Sequence, residues 1–165
     1  MPSFEKQFME SKGEPISYKG TKLQLMDKIT VDNVFSLSIK LLSTNSSWRQ
    51  GIVIKTDGNL KITNTLNGKS IDGKEHILWE EGLRAIPISI KGYSKNGILF
   101  LWNVWNTGDG VVHAWHNGAA MKKEILEDKI IYYCNDGHPD DNFSDIIFSL
   151  NIKSRMNAVD ELLGG

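Results

Sequence analysis

The chain has 165 residues, with 19 basic and 20 acidic side chains and a net charge of −1. That length suffices for one domain with a core of its own, and the balance of charge excludes a nucleic-acid footprint spread over the surface. No stretch approaches the roughly 20 apolar residues of a membrane helix. Met1-Pro2-Ser3-Phe4-Glu5-Lys6-Gln7-Phe8 lacks a basic region followed by an apolar stretch, so it does not read as a signal peptide.

Phe4, Phe8 and Met9 stand at helical spacing among charges and end at Gly13-Glu14-Pro15, which predicts a short amphipathic N-terminal helix. From Ile16 the period changes to two. Leu23 and Leu25, then Ile29 and Val31, alternate with polar neighbours and predict two short strands. Val34 to Leu41 repeats that period with Phe35, Leu37, Ile39 and Leu41 on one face. Asn45-Ser46-Ser47 is a turn cluster before the strand that opens at Gly51-Ile52-Val53-Ile54-Lys55. Asp57-Gly58 reads as a tight turn into Leu60-Lys61-Ile62-Thr63.

A polar connection from Asn64 to Glu75 follows, with Asn67-Gly68 and Asp72-Gly73 as turn signals. Ile77-Leu78-Trp79 is a short apolar run, Glu80-Glu81-Gly82 a break, and Ile86-Pro87-Ile88-Ser89-Ile90 a strand. Pro87 gives no ladder hydrogen bond, which predicts an edge or a bulge there. Gly97 to Asn106 and Val111 to Gly118 read as the arms of a hairpin turning at Thr107-Gly108-Asp109-Gly110. Ala119 to Glu127 fits a strand or a turn or two of helix. Two apolar runs, Lys129 to Cys134 and Ile146 to Ile152, enclose an acidic loop. The tail from Ser154 to Leu163 has helical spacing and stops at Gly164-Gly165.

Turn signals recur every eight to twelve residues or so with no long helical pattern between them. The expected fold is therefore an all-β antiparallel sandwich, one domain over residues 1–165, with short terminal helices.

The hydrolytic signatures are missing. There is no Gly-x-Ser-x-Gly and no phosphate-cradling glycine loop. The single Cys134 lies in an apolar strand where a buried thiol is the ordinary reading, and nothing marks a third group to orient a pair with His138. His113, His116 and His138 could gather zinc with a carboxylate, but strand alternation sends His113 and His116 to opposite faces. Trp102, Trp105 and Trp115 crowd one region, as core or as a platform. Alternation turns Trp102 and Trp105 to opposite sides, and indole rings stack on sugar C–H faces as they do on bases.

The acidic loop carries the sharpest chemistry. Asn135-Asp136-Gly137-His138-Pro139-Asp140-Asp141-Asn142-Phe143-Ser144-Asp145 holds four Asp and two Asn between two strands. Such residues also build plain solvated turns. Four carboxylates repel one another unless they fan into water or a cation neutralises them, and calcium takes six to eight oxygens from Asp, Asn, Ser and carbonyl groups. Alternation would place Asp140, Asn142 and Ser144 on one side, Phe143 in the core and Asp145 at the strand entrance. The EF-hand pattern does not fit.

The run from Asn135 to Phe148 resembles the acidic signature of small calcium-mediated bacterial lectins that bind fucose and mannose, Glu-Asp-Gly-x-Asp-x-Asp-Tyr-Asn-Asp followed by Ile and Val. It has one extra residue, with Phe143 in place of Tyr and Ser144 in place of Asn. In that family the loop holds two calcium ions and sugar hydroxyls complete their coordination. The resemblance implies Asp140, Asn142, Ser144 and Asp145 as calcium ligands, with Asn135 or Asp136 as the upstream one, and Asp136, Asp140, Asp141 and Asp145 toward the sugar. The chain is also similar to the galactose-binding type, with one calcium, through Asn135-Asp136 and Phe148-Ser149-Leu150-Asn151-Ile152.

The expected function is a non-catalytic, calcium-dependent carbohydrate-binding protein, its partners glycans and further copies of itself, with neither nucleic acid nor membrane insertion. The expected place is the cytoplasm, with release by a route that needs no signal peptide left open. The alternative is a cytoplasmic protein–protein interaction or immunity-type protein with a Trp-rich interface. A metal-assisted hydrolase ranks third, because a His-rich constellation is missing.

Overall fold

The computed structural model describes residues 3–63, 67–85 and 88–154. Helix α1 (Glu5–Glu10) opens the chain and buries Phe8. Strands β1 (Ile16–Tyr18) and β2 (Thr21–Leu23) pair as a small hairpin. The main sheet is built from β3 (Asp27–Thr30), β4 (Val34–Thr44), β5 (Arg49–Thr63), β6 (Ser70–Trp79), β7 (Ile88–Tyr93), β8 (Ile98–Asn106), β9 (Ala120–Ile125), β10 (Ile130–Asn135) and β11 (Ile146–Ser154), with helix α2 (Glu80–Ala85) between β6 and β7. Its order is β3-β8-β5-β7-β4-β11-β10-β9, every pairing is antiparallel, and β6 takes the other edge of β5.

The long strand β5 sets the curl. Arg49–Thr56 pair with β8, whereas Asn59–Thr63 pair with β7, and the register with β6 shifts between Lys55 and Leu60. A strand with such an irregularity bends and twists more strongly. The sheet thereby folds over itself, so that β10 faces β3 and β8. Tyr132 Oη donates to Asp27 Oδ2 at 2.6 Å across that gap, and Asn103 Nδ2 donates to the Asn135 carbonyl at 2.8 Å. The fold is all-β and antiparallel, as the period of two predicts, and its two layers are halves of one curled sheet.

Alternation fills the space between the layers. Phe35, Leu37 and Ile39 of β4 are buried together with Ile52, Ile54, Leu101, Phe148 and Leu150. Each such side chain withdrawn from water contributes about 1.5–3 kcal/mol. A second cluster joins α1 to the far end of the molecule, where Phe4 and Phe8 pack with Leu23, Ala120 and Phe143. The Phe4 and Phe143 rings stack at 6.0 Å, so the N-terminal helix lies against the acidic loop.

Several local expectations change. Asp57-Gly58 is no turn but the middle of β5. Asp57 instead accepts from Ser94 Oγ and the Lys95 N–H on Oδ1 and from the Asn96 N–H on Oδ2, bracing the β7–β8 turn. Gly58 is required because a Cβ there would collide with the Tyr93 carbonyl oxygen. The polar segment from Ser70 onward is strand β6, an edge strand whose polar side chains face water. Glu80-Glu81-Gly82 begins helix α2, held by Glu80 Oε2 accepting from the Gln50 N–H at 2.6 Å and by Arg84 donating to Thr44. Strand β7 is interior, between β4 and β5, and starts one residue after Pro87, which lies outside the described residues. The tail beyond Ser154 lies outside them too, and with it the predicted C-terminal helix.

The second hairpin arm does not form. β8 is followed by a loop joined to it by a single bridge, Trp105 to His113. Trp115 and Asn117 take positive φ of 62° and 52°, a conformation incompatible with a continuing strand. Ala119 to Glu127, which fits strand or helix by sequence, is largely strand β9.

Candidate functional site

Strands β10 and β11 pair from Cys134↔Ile146 to Ile130↔Leu150 and present the loop 136–145 at their end. Apolar runs on either side form the pair, and the Asp, Asn, Gly and Pro residues that break strands form the connection. Phe143 turns inward as expected and is buried, at a positive φ of 52°.

Its oxygens fall into two groups. Asn135 and Asp136 are fully buried and spend their side chains on the loop itself. Asn135 Nδ2 donates to the Asp140 carbonyl at 2.8 Å, and its Oδ1 accepts from the Phe143 N–H at 2.8 Å. Asp136 Oδ1 accepts from the His138 N–H at 2.9 Å, and its Oδ2 accepts from Ser46 Oγ at 2.6 Å and Gln50 Nε2 at 3.0 Å. Asp145, also buried, takes the Asp136 N–H on Oδ2 at 2.9 Å, and its backbone N–H donates to the Cys134 carbonyl at 3.1 Å.

The second group faces outward. Among the described residues Asp140 Oδ1 accepts only from the Asn142 N–H at 3.1 Å, and Asp141 Oδ2 accepts from Tyr18 Oη at 3.1 Å and Lys19 Nζ at 3.4 Å. Among the described residues no hydrogen bond engages the side chains of Asn142 or Ser144. The predicted ligands thus lie together in one loop but in two layers, with Asn135, Asp136 and Asp145 beneath and Asp140, Asp141, Asn142 and Ser144 above. Among the described residues no three His, Cys, Asp or Glu side chains stand in a metal-holding group.

Electrostatics set Asp145 apart. Burial first, then the neighbouring carboxylates of Asp136 and Asp140, push its carboxyl up to about 7. Like charges crowded at low dielectric cannot all ionise, so one keeps its proton. Beside this pair lies Gln50, fully buried, whose Nε2 serves Asp136 and the Trp48 carbonyl while Oε1 has no partner among the described residues. A buried acceptor left unpaired costs roughly 1–3 kcal/mol. Two carboxyls, an orphan amide oxygen and a hydroxyl are all hard oxygen donors, the set that suits calcium rather than zinc.

The surroundings were only partly legible in the sequence. Ser46 enters from the β4–β5 loop and Gln50 from the start of β5, roughly ninety positions upstream, and the Asn45 N–H donates to the Asp145 carbonyl at 3.1 Å. Their one signal was the Asn45-Ser46-Ser47 cluster, read only as a turn, with Gln50 heading an apolar strand. The rings of Trp48 and His138 meet edge-on at 6.5 Å.

The loop 107–119 closes the other flank. The rings of His113 and His116 both lie against Trp105, at 6.3 and 5.2 Å, and His116 Nε2 stands 3.4 Å from His113 Nδ1, the reverse of the predicted opposition. Asp109 Oδ2 approaches His113 Nε2 at 3.1 Å. The backbone runs so close that a Cβ on Gly118 would collide with His138, and one on Gly137 would sit 2.7 Å from Trp105. Trp102 and Trp105 are both buried and Trp115 is 44% exposed, because β8 has its inner face in the core and its outer face under this loop. Burial, followed by Asp145, pushes the Cys134 thiol up, which leaves it inert.

Comparison with protein families, with curated proteins and with solved structures yields no match to this chain. No described helix is long and apolar enough to cross a membrane.

Proposed function

We propose that the chain is a calcium-dependent carbohydrate-binding protein without catalytic activity, and that the loop 136–145 is its binding site. The observation that carries this reading is the unresolved charge beneath the loop. Asp136 and Asp145 are buried side by side, Asp145 keeps a proton up to about 7, and Gln50, which donates to Asp136, has no partner for its Oε1 among the described residues. A divalent cation relieves all three at once. Asp136, Asp145 and Gln50 would hold it from below, with Asp140, Asn142 and Ser144 from the outward layer. Bound calcium supplies a charged centre to which vicinal sugar hydroxyls can add as ligands. The chain itself contributes the exposed Asp141 and His138 at the rim, with Trp48 beside them as an apolar wall. Assembly into an oligomer would multiply single-site binding.

Thermal unfolding with calcium and with chelator tests the first half, since a ligand bound only to the folded state raises its stability by mass action. An unchanged midpoint sinks the calcium reading. If the midpoint rises, a glycan array read with the parent chain and with Asp140→Ala tests the second half, and an empty array ends the sugar reading.

One observation favours a second reading, a protein interface at the loop 107–119. Val111 is 52% exposed and Val112 43%, next to Trp115. Such a patch is a typical contact surface. Binding of a protein partner that survives chelator and is lost in Trp115→Ser would favour it over the glycan site.

A further inference from the structure

Away from the acidic loop, the hydrophobic core reaches the surface beside α2. Between β6 and α2 lies a cleft of about 720 Å³, floored by Ile62, Leu78 and Ile88 and walled by Trp79 and Ala85. Ile62 and Leu78 belong to the main core, and Trp79 and Ile88 pack against it, so the floor is continuous with the interior. Small-molecule sites commonly measure about 300–1,000 Å³, with mostly apolar walls and a few polar groups that fix orientation.

Its rim has a sign. Arg49 and Lys69 line it against a single acid, Glu81. The Arg49 guanidinium lies 4.2 Å over the Trp79 ring and is anchored by Nε to Glu81 Oε1 at 2.8 Å, so it is held in place rather than free to swing into water. Among the described residues no carboxylate pairs with Lys69. On the outer wall Ile77 is 40% exposed and Ile71 65%, on an edge strand where exposed apolar side chains invite a partner. The polar edge of the cleft thus offers positive charge, and its body offers apolar surface.

We propose that this cleft is a second binding site, for a small amphipathic molecule with an apolar body and an anionic head, such as a medium-chain fatty acid. The apolar body lies on Ile62, Leu78, Ile88 and Trp79, and the head meets Lys69 at the rim. The driving force is burial of chain and floor together, and the cation selects the head group. The site shares no lining residue with the acidic loop and needs no metal.

Titration of the intact chain with decanoate, followed by tryptophan fluorescence and by the thermal midpoint, tests the proposal, with decanol and decylamine as neutral and cationic probes. Saturable one-to-one binding of decanoate is expected, at least tenfold tighter than decylamine and unchanged by chelator. Lys69→Glu should weaken decanoate about tenfold and leave decanol as it was. Ala85→Trp, at an exposed helix position, should block all three probes while circular dichroism stays that of the parent. Binding without saturation, equal affinity for decanoate and decylamine, or full affinity in the folded Ala85→Trp variant would each overturn it.

Discussion

The acidic loop and the cleft beside α2 are opposite kinds of surface. The loop is dense with oxygen, and nearly every buried group in it is committed to another, down to the backbone N–H of Asp136 on Asp145. The cleft is roomy and apolar, with its charges kept to the rim. The loop gathers carboxylates out of water, with Lys19 on Asp141 its one ion pair among the described residues, and the cleft offers apolar surface. Crowded like charge and an open apolar cleft are separate invitations to ligands, and a chain of this size can carry both. They meet at neighbouring residues of one strand, since Arg49 lines the cleft and Gln50 supports Asp136.

The comparison is broken most severely at Asp136. Asp136→Ala strips Ser46, Gln50 and the His138 N–H of their acceptor, and a loss of about 3 kcal/mol is expected in urea unfolding, since hydrogen bonds to charged groups contribute about 1.5–3 kcal/mol each and the relief of Asp145 offsets part. Leu78→Ala attacks the other region and should cost about 2 kcal/mol, the low end for a buried Leu, because the cleft already borders the site. Calcium should raise the midpoint of Leu78→Ala as it does that of the parent and leave Asp136→Ala unchanged, whereas decanoate affinity should fall only in Leu78→Ala.

A gentler probe is pH. The Asp145 carboxyl stands at about 7 in the fold against an ordinary 3.8, so between those values the native chain holds a proton that the unfolded chain has lost. The contribution of Asp145 is therefore fully present below about pH 4, falls as pH rises toward about 7, and levels off beyond. The thermal midpoint should drop a few degrees across that window without calcium, and Asp145→Asn, which mimics the protonated form, should flatten the drop. With calcium present the fall should be recovered above about pH 7, and a slope identical with and without calcium would separate Asp145 from any metal. The smallest effect belongs to Lys19, an exposed partner of Asp141. Lys19→Ala should leave both the urea midpoint and decanoate binding where they were, as isolated surface pairs usually do.

How far the sequence reached differs between the two regions. The flanks of the loop were legible because alternation and strand-breaking residues are local properties, and Phe143 was rightly turned inward. Ser46 and Gln50 were not, since no periodicity links positions so far apart; the pairing of β4 with β11 brings the β4–β5 loop beside Asp136. The cleft was illegible altogether. Its helix, α2, is six residues long and has little stability of its own. It exists because Glu80 accepts from Gln50 and Arg84 reaches Glu80 and Thr44. Asp57-Gly58 misled for a related reason, as a dipeptide suited to turns also serves where another backbone passes close.

By itself the sequence determined an antiparallel β architecture and the loop that four acids would share, since period and composition act within a few residues. The tertiary structure decided which oxygens are buried and paired, which carboxyl keeps its proton, and where the core stays open. Desolvation, mutual repulsion and packing all depend on residues far apart in the chain, and only the folded curl of the sheet brings them together.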